Sequence, residues 1–235
     1  MLDLGPREDS RFWLRRIDQE IIGEPVIKDV CASCNNGPLS SLDAYICQLF
    51  DRHCARILAR GEIVTFSYDY HLLKRWLLKM SYNSARMHGA MDLMVYPPLL
   101  PYIVGGQEPL GRSVRLFLQL SYPGKVSSRD RELYLEGGDE PEIWEPKLNR
   151  VGHAYITILG KSKLLRIVHL QSFIFYLAFF EPGSGASTTK EFISAFTAHS
   201  PGTIELLASR SDVTLACEGL DAWDAFKGSR ENKLV

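Results

Sequence analysis

The sequence predicts an α+β fold, with a helical N-terminal module followed by a mainly β module, and three observations carry that prediction. First, Leu39, Leu42, Ile46, Leu49, His53 and Ile57 recur at helical spacing. Second, Leu72, Leu73, Trp76, Leu77 and Met80 draw another apolar stripe of the same period. Third, from residue 113 onward, β-branched and aromatic residues gather in short runs bounded by turn residues. Between the two patterns lie Tyr96-Pro-Pro-Leu-Leu-Pro101 and Gly105-Gly106, which interrupt regular structure. Segments 1–105 and 106–235 follow from that break.

Taken in order, residues 1–24 are polar and mixed, with Phe12, Trp13, Leu14 and Ile17 as the apolar residues able to dock. Val26 to Val30 reads as a short strand. A helix is expected from Leu39 to about Ala59, ended by Gly61. Glu62 to Tyr68 alternates weakly and reads as a strand. Asp69 is placed to cap a second helix that runs to His88 and stops at Gly89. Beyond the break, strands are expected at Ser113–Tyr122, Val151–Leu159, Leu164–Leu170 and Gln171–Phe180. A helix at Thr188–His199, short strands at Thr203–Leu207 and Asp212–Cys217, and a helix at Leu220–Phe226 complete the chain. The acidic stretch of Glu136, Asp139, Glu140, Glu142 and Glu145 reads as a solvated loop that a phosphate backbone would avoid.

Composition bounds the rest. A chain of 235 residues with 46% hydrophobic and 23% charged residues has ample material for a core. A net charge of −1 gives no global sign of nucleic-acid binding, so any such surface must be local. Five cysteines at irregular spacing do not form a disulfide framework, and a reducing cytoplasm is the simpler expectation. MLDLGPREDS lacks the basic head and apolar stretch of a signal peptide. The most apolar run, Phe173 to Phe180, is too short to span a bilayer, so no membrane partner is expected.

The chemistry concentrates at Val30-Cys31-Ala-Ser-Cys34-Asn35-Asn36-Gly37-Pro38-Leu39-Ser40-Ser41-Leu42-Asp43. Two thiolates two residues apart can grip one metal ion from a tight turn, and Asn35 is placed to cap a helix beginning near Pro38. This segment resembles the second Cys pair and following helix of the zinc-containing HNH endonuclease family. The likeness extends to Leu73-Lys74-Arg75-Trp76-Leu77-Leu78-Lys79, similar to a Trp–Lys helix in many bacterial members, and covers roughly residues 25–90. The resemblance implies a ββα-metal nuclease. In that family an earlier Cys pair completes a structural zinc site, a His on the first strand activates water, and later polar residues help to hold a catalytic divalent ion.

Cys31, Cys34 and Asn35 match that pattern; residues 1–30 contain no Cys and no His to match the rest. Three accounts of the gap stand side by side: a start inside a longer gene, a natural remnant that keeps a binding surface, or a second chain that supplies the missing half. Zinc is therefore expected only at an incomplete site, and a catalytic divalent metal only if the missing half is supplied. Within the chain, Cys47, His53 and Cys54 are the nearest further ligands. Cys47 and Cys54 lie two helical turns apart, about 10 Å along a helix, too far to share one tetrahedral ion comfortably. A homodimer sharing one zinc between two Cys turns is an alternative, as is a metal-free pair. Thioredoxin-type redox activity fits poorly, because no strand–CxxC–helix unit in an α/β pattern is evident.

Basic residues gather nearby. Arg52, Arg56 and Arg60 recur every four residues, and Arg75, Lys79 and Arg86 follow with Tyr82 among them. From Arg52 to His88, seven Lys or Arg stand against Glu62 and Asp69. Arginine forks suit phosphate oxygens, and an exposed Tyr82 would stack on an unpaired base; a solvated helix face explains the same charges. His153, His169 and His199 have no Ser, Cys or carboxylate at a recognised catalytic spacing, and no nucleophile elbow, phosphate loop or dinucleotide fingerprint occurs. The expectation is an HNH-endonuclease-related protein that interacts with nucleic acid and cleaves weakly or not at all. The alternative is a non-catalytic protein–protein interaction or scaffold protein.

Overall fold

The computed structural model describes residues 11–14, 19–22, 30–88, 91–108, 114–135, 142–147, 149–158, 160–181 and 183–231. The strand expected at 26–30 and most of the acidic stretch lie outside them, with Val30 itself in a bend. Two short strands, β1 (Arg11–Leu14) and β2 (Gln19–Ile22), pair antiparallel near the start, where the sequence had offered only docking residues.

The first helical run opens with one turn, α1 (Ala32–Cys34), passes through a π-turn at Asn35–Leu39, and continues as α2 (Ser40–Leu49). Gly37 breaks the helical path there with φ −106° and ψ −107°, just before Pro38, which has no N–H to donate. A second π-turn, Phe50–Cys54, ends the run five residues before the expected Ala59. The stripe does face inward, since Leu39, Leu42, Ile46 and Leu49 are all buried. Gly61 then takes the left-handed φ of +80° that the turn into β3 (Ile63–Ser67) requires.

Asp69 caps the next helix as its position suggests: its Oδ1 accepts the Leu72 N–H at 2.9 Å. That helix, α3 (Tyr70–His88), buries Leu73, Trp76, Leu77 and Leu78. The proline-rich break holds two 3₁₀ turns, Met91–Val95 and Pro97–Leu99, and a single helical turn, α4 (Leu100–Ile103).

The remaining elements are β4 (Val114–Tyr122), β5 (Gly124–Lys125), α5 (Ser128–Tyr134), β6 (Ile143–Trp144), β7 (Asn149–Ile158), β8 (Lys161–Leu170), β9 (Phe173–Phe179), α6 (Ala186–His199), β10 (Ile204–Leu206), β11 (Asp212–Ala216), β12 (Leu220–Asp221) and α7 (Ala222–Glu231). The main sheet runs β10-β4-β9-β8-β7, antiparallel throughout, and β12 pairs parallel with β4 at Ser121 and Tyr122. β9 is central and nearly continuously apolar, whereas β7 at the edge is nowhere fully buried. Gly124 has to be glycine, because a Cβ there would sit 1.8 Å from Asp221 Oδ1, the group that caps α7 by accepting the Trp223 N–H.

The fold is thus α+β, helical first and mostly stranded afterwards. One apolar core draws on both parts, from Leu42, Leu73 and Leu77 to Leu116, Phe173 and Phe175. β3 pairs antiparallel with β11 across most of the chain's length, and Thr65 and Thr214 join hydroxyls at 3.0 Å. Each fully buried Leu or Phe of this core contributes about 1.5–3 kcal/mol.

Candidate nucleic-acid interface and cysteine turn

Cys31 is extended (φ −64°, ψ 151°) and exposed, and it begins the helical run itself. Its Sγ accepts the Cys34 N–H at 3.4 Å and lies 3.2 Å from the Ser33 hydroxyl. Asn35 is therefore not an N-cap. It has helical dihedrals (φ −67°, ψ −45°), and its N–H bonds to the Cys31 carbonyl at 3.0 Å. The run starts at Ala32 because the Cys31 sulfur satisfies a first-turn amide that would otherwise have no partner.

The two thiols influence each other. The Ser33 hydroxyl foremost, then the Cys34 N–H, lower the Cys31 thiol to about 7. Hydrogen bonding with Cys31, then its negative charge, raises the Cys34 thiol. Of the two, Cys31 is thus the thiol more readily deprotonated.

Among the described residues, no group of three or more His, Cys, Asp or Glu is placed to hold a metal ion. The nearest sequence candidates are engaged elsewhere. His53 accepts the Ser67 N–H at Nε2 (3.3 Å) and packs on Phe66 at 5.0 Å, and burial holds its pKa down. Cys54 is fully buried, which pushes its thiol up. Cys31 and Cys34 fit half of a tetrahedral zinc site by type and spacing, and no further ligand joins them among the described residues.

The basic residues separate into free and committed groups. Arg52 is exposed in the π-turn that ends the run. Arg56 and Arg60 lie beyond the helix, so a single helical edge carrying all three is not formed. Arg56 is ion-paired with Glu62, which holds that carboxyl below its ordinary range. The exposed Arg60 guanidinium sits 5.3 Å over the Tyr122 ring.

On α3, Arg75 donates from Nε to the Ile103 carbonyl at 3.1 Å, tying the helix to α4. Lys79 meets both oxygens of Asp43 at 2.6 Å, and Asp43 also accepts Trp76 Nε1–H at 3.2 Å. That carboxylate clamps α2 to α3. Tyr82 is half-buried against Tyr96 at 5.3 Å, with the Arg86 guanidinium 5.2 Å over its ring. It is not the exposed stacking platform that its position on the helix suggested, because the 3₁₀ segment after α3 packs against it.

Two charge clusters escaped the sequence reading. Lys74 is buried; its ammonium bonds the Tyr70 hydroxyl at 3.2 Å and the Glu108 carboxylate, 5.2 Å and 5.9 Å from the Tyr70 and Tyr102 rings. Burial lowers its pKa, with Glu108 opposing. The Tyr70–Lys74 spacing of four residues was the available signal. Arg166 on β8 grips Asp92 with two bonds of 2.6 Å, both side chains almost wholly buried. An arginine inside the apolar run Leu164-Leu165-Arg166-Ile167-Val168 was the sign that it needed a partner. No protein-family model, curated protein or solved structure matches the chain.

Proposed function

We propose that the chain is an HNH-endonuclease-related protein that engages nucleic acid through the cysteine turn and the helices after it. The observation that carries this reading is the Cys31–Cys34 turn, with both thiols free, opening a helical run that ends beside exposed Arg52 and Arg56. Cys31 and Cys34 would hold zinc, and the ion would fix the turn from which the helices diverge. Arg52 and Arg60, exposed and without an ion pair among the described residues, would meet phosphates, and Arg56 would join them by leaving Glu62. Lys79 and Arg75 would serve mainly to hold the helices in place.

Hydrolysis by this chain is expected to be weak or absent, since no His precedes His53 and His53 is turned to the Ser67 amide. The catalytic divalent ion of the family has no group of three ligands among the described residues, so no hydrolytic step is derived. Retention of a DNA duplex should fall steeply with salt, and Arg52→Glu with Arg60→Glu should lower it by about tenfold or more while reducing the salt slope. Unchanged retention by that double variant would remove the interface. Zinc near one per chain, or one per dimer, that Cys31→Ser abolishes would support the metal half of the proposal.

A protein-interaction role is the second reading, and the edge of the main sheet favours it. β7 is ten residues long, and its outer side has no strand partner among the described residues. Such an edge accepts an extended segment of another chain through main-chain bonds, with exposed Tyr155 beside it.

A further inference from the structure

A shallow, solvent-open cleft with a volume of about 40 Å³ lies where the β8–β9 turn meets α7. Its apolar part is Trp144 of β6 with Ala222, Ala225 and Phe226 of α7. Those three helix positions share one face, and the Trp144 and Phe226 rings pack on each other with centroids 4.5 Å apart at 37°. The polar part is Arg150, His169 and Gln171, together with the buried Ser121. Arg150 and His169 are cross-strand partners on β7 and β8. None of Arg150, His169 and Gln171 makes a side-chain hydrogen bond or ion pair among the described residues.

Gln171 carries an independent sign. It has φ 52°, and no other non-glycine among the described residues has a positive φ. It stands first in the two-residue turn joining β8 to β9, where a glycine relieves the strain when only that position has positive φ. Its neighbour Ser172 fastens the turn: the Ser172 Oγ accepts the Leu58 N–H at 3.0 Å and its carbonyl accepts the Ser121 N–H at 2.8 Å. A strained side chain that persists at the rim of a cleft, free of partners, marks a position kept for contact with something else.

The lining defines the ligand. Burial foremost, then the charge of Arg150, holds the His169 imidazole down to about 4, so at neutral pH it offers one donor and one acceptor. The Gln171 carboxamide likewise offers both. Arg150 is exposed and presents a fork suited to a phosphate. No Asp or Glu lines the cleft, so a cationic or zwitterionic guest would lack a counter-charge. A planar ring with donors and acceptors along its edge, joined to one phosphate, matches Arg150, His169 and Gln171.

We propose that this cleft binds a single nucleotide unit, with the base against Trp144 and Phe226, its edge on His169 and Gln171, and the phosphate on Arg150. A free 5′-mononucleotide and an unstacked nucleotide of a single strand share that chemistry. The proposal does not depend on the cysteine turn.

The test is a calorimetric titration of the full chain with AMP, adenosine, inorganic phosphate and a single-stranded adenosine hexanucleotide. AMP should bind saturably at one per chain, with adenosine and phosphate each weaker by about tenfold or more. Arg150→Ala should weaken AMP by about tenfold and leave adenosine unchanged. Gln171→Gly should raise the melting temperature yet weaken AMP, a split that a merely structural turn residue would not produce. Binding of the hexanucleotide but not AMP, with the same Arg150 dependence, would support the site with a strand as its source. Binding of neither, or binding indifferent to both substitutions, overturns the proposal. Because Arg52→Glu and Arg60→Glu should leave AMP affinity unchanged, failure here and failure of the duplex interface are distinguishable.

Discussion

Arg166 and Arg56 are both arginines paired with a carboxylate, yet the first pair is sealed between the sheet and a 3₁₀ turn and the second stands in water. The Arg166 and Asp92 side chains are 1% and 2% exposed, whereas Arg56 is 62% exposed. Water screens the outer pair and solvates either partner if the other is removed. Nothing solvates Arg166 or Asp92 in the same way, so each is tolerable only in the presence of the other. Of the charges that stand out in the sequence as a candidate interface, Arg52, Arg56 and Arg60 stand in water, whereas Arg75 and Lys79 hold helices together. The buried Arg166 pair is hidden within an apolar run.

The sharpest way to break that contrast is Asp92→Ala, which leaves the Arg166 guanidinium buried and unpaired. We expect a loss of about 3–5 kcal/mol in urea denaturation. The double variant Asp92→Leu with Arg166→Met should recover most of it, because both charges then go together. A loss under about 1 kcal/mol in the single variant would mean that water reaches the pair.

A second effect comes from His169, held neutral beside Arg150. Its folded pKa of about 4 lies below its ordinary 6.5, so between those values the unfolded chain binds a proton that the folded chain refuses. Stability from this group is complete above the upper value and falls as pH drops through the window, by about 3 kcal/mol in all. Melting curves recorded from pH 7 to pH 4 should show the slope, and His169→Gln should remove its share. The smallest expected effect is Arg56→Ala, a change within about 0.5 kcal/mol by the same denaturation measurement. A larger loss would mean that the Glu62 contact is structural and would remove Arg56 from any phosphate surface.

The helices were legible because their apolar residues had no choice of face: Leu42, Ile46, Leu73 and Leu77 have the period, and all are buried. The Asp69 cap was equally plain, since a carboxylate before a helical stripe has one obvious task. The first helical run starts earlier than its sequence suggests for a physical reason. An asparagine is the better cap in general, but here the Cys31 sulfur reaches the amide three residues on, and the helix begins before Asn35. It also ends earlier than the pattern suggests, because Ile57 and Leu58 continue the apolar spacing after the backbone has left the helix. The committed roles of Lys79 and Tyr82 were not legible, since Asp43 and Tyr96 lie on other elements. The cleft was still less so: Trp144, Arg150, His169, Gln171 and Phe226 come from separate stretches with no shared spacing, and a left-handed glutamine has no sequence signature.

The pairing of β3 with β11 has a consequence for how the chain is made. Thr65 leaves the ribosome long before Thr214, so β3 waits with an open strand edge until synthesis reaches the last tenth of the chain. The same is true of the core, in which Leu42 and Leu73 share a cluster with Val213, Leu215 and Cys217. Such distant closure is slow, and premature termination before residue 212 would leave exposed Ile63 and its unpaired backbone as a nucleus for aggregation.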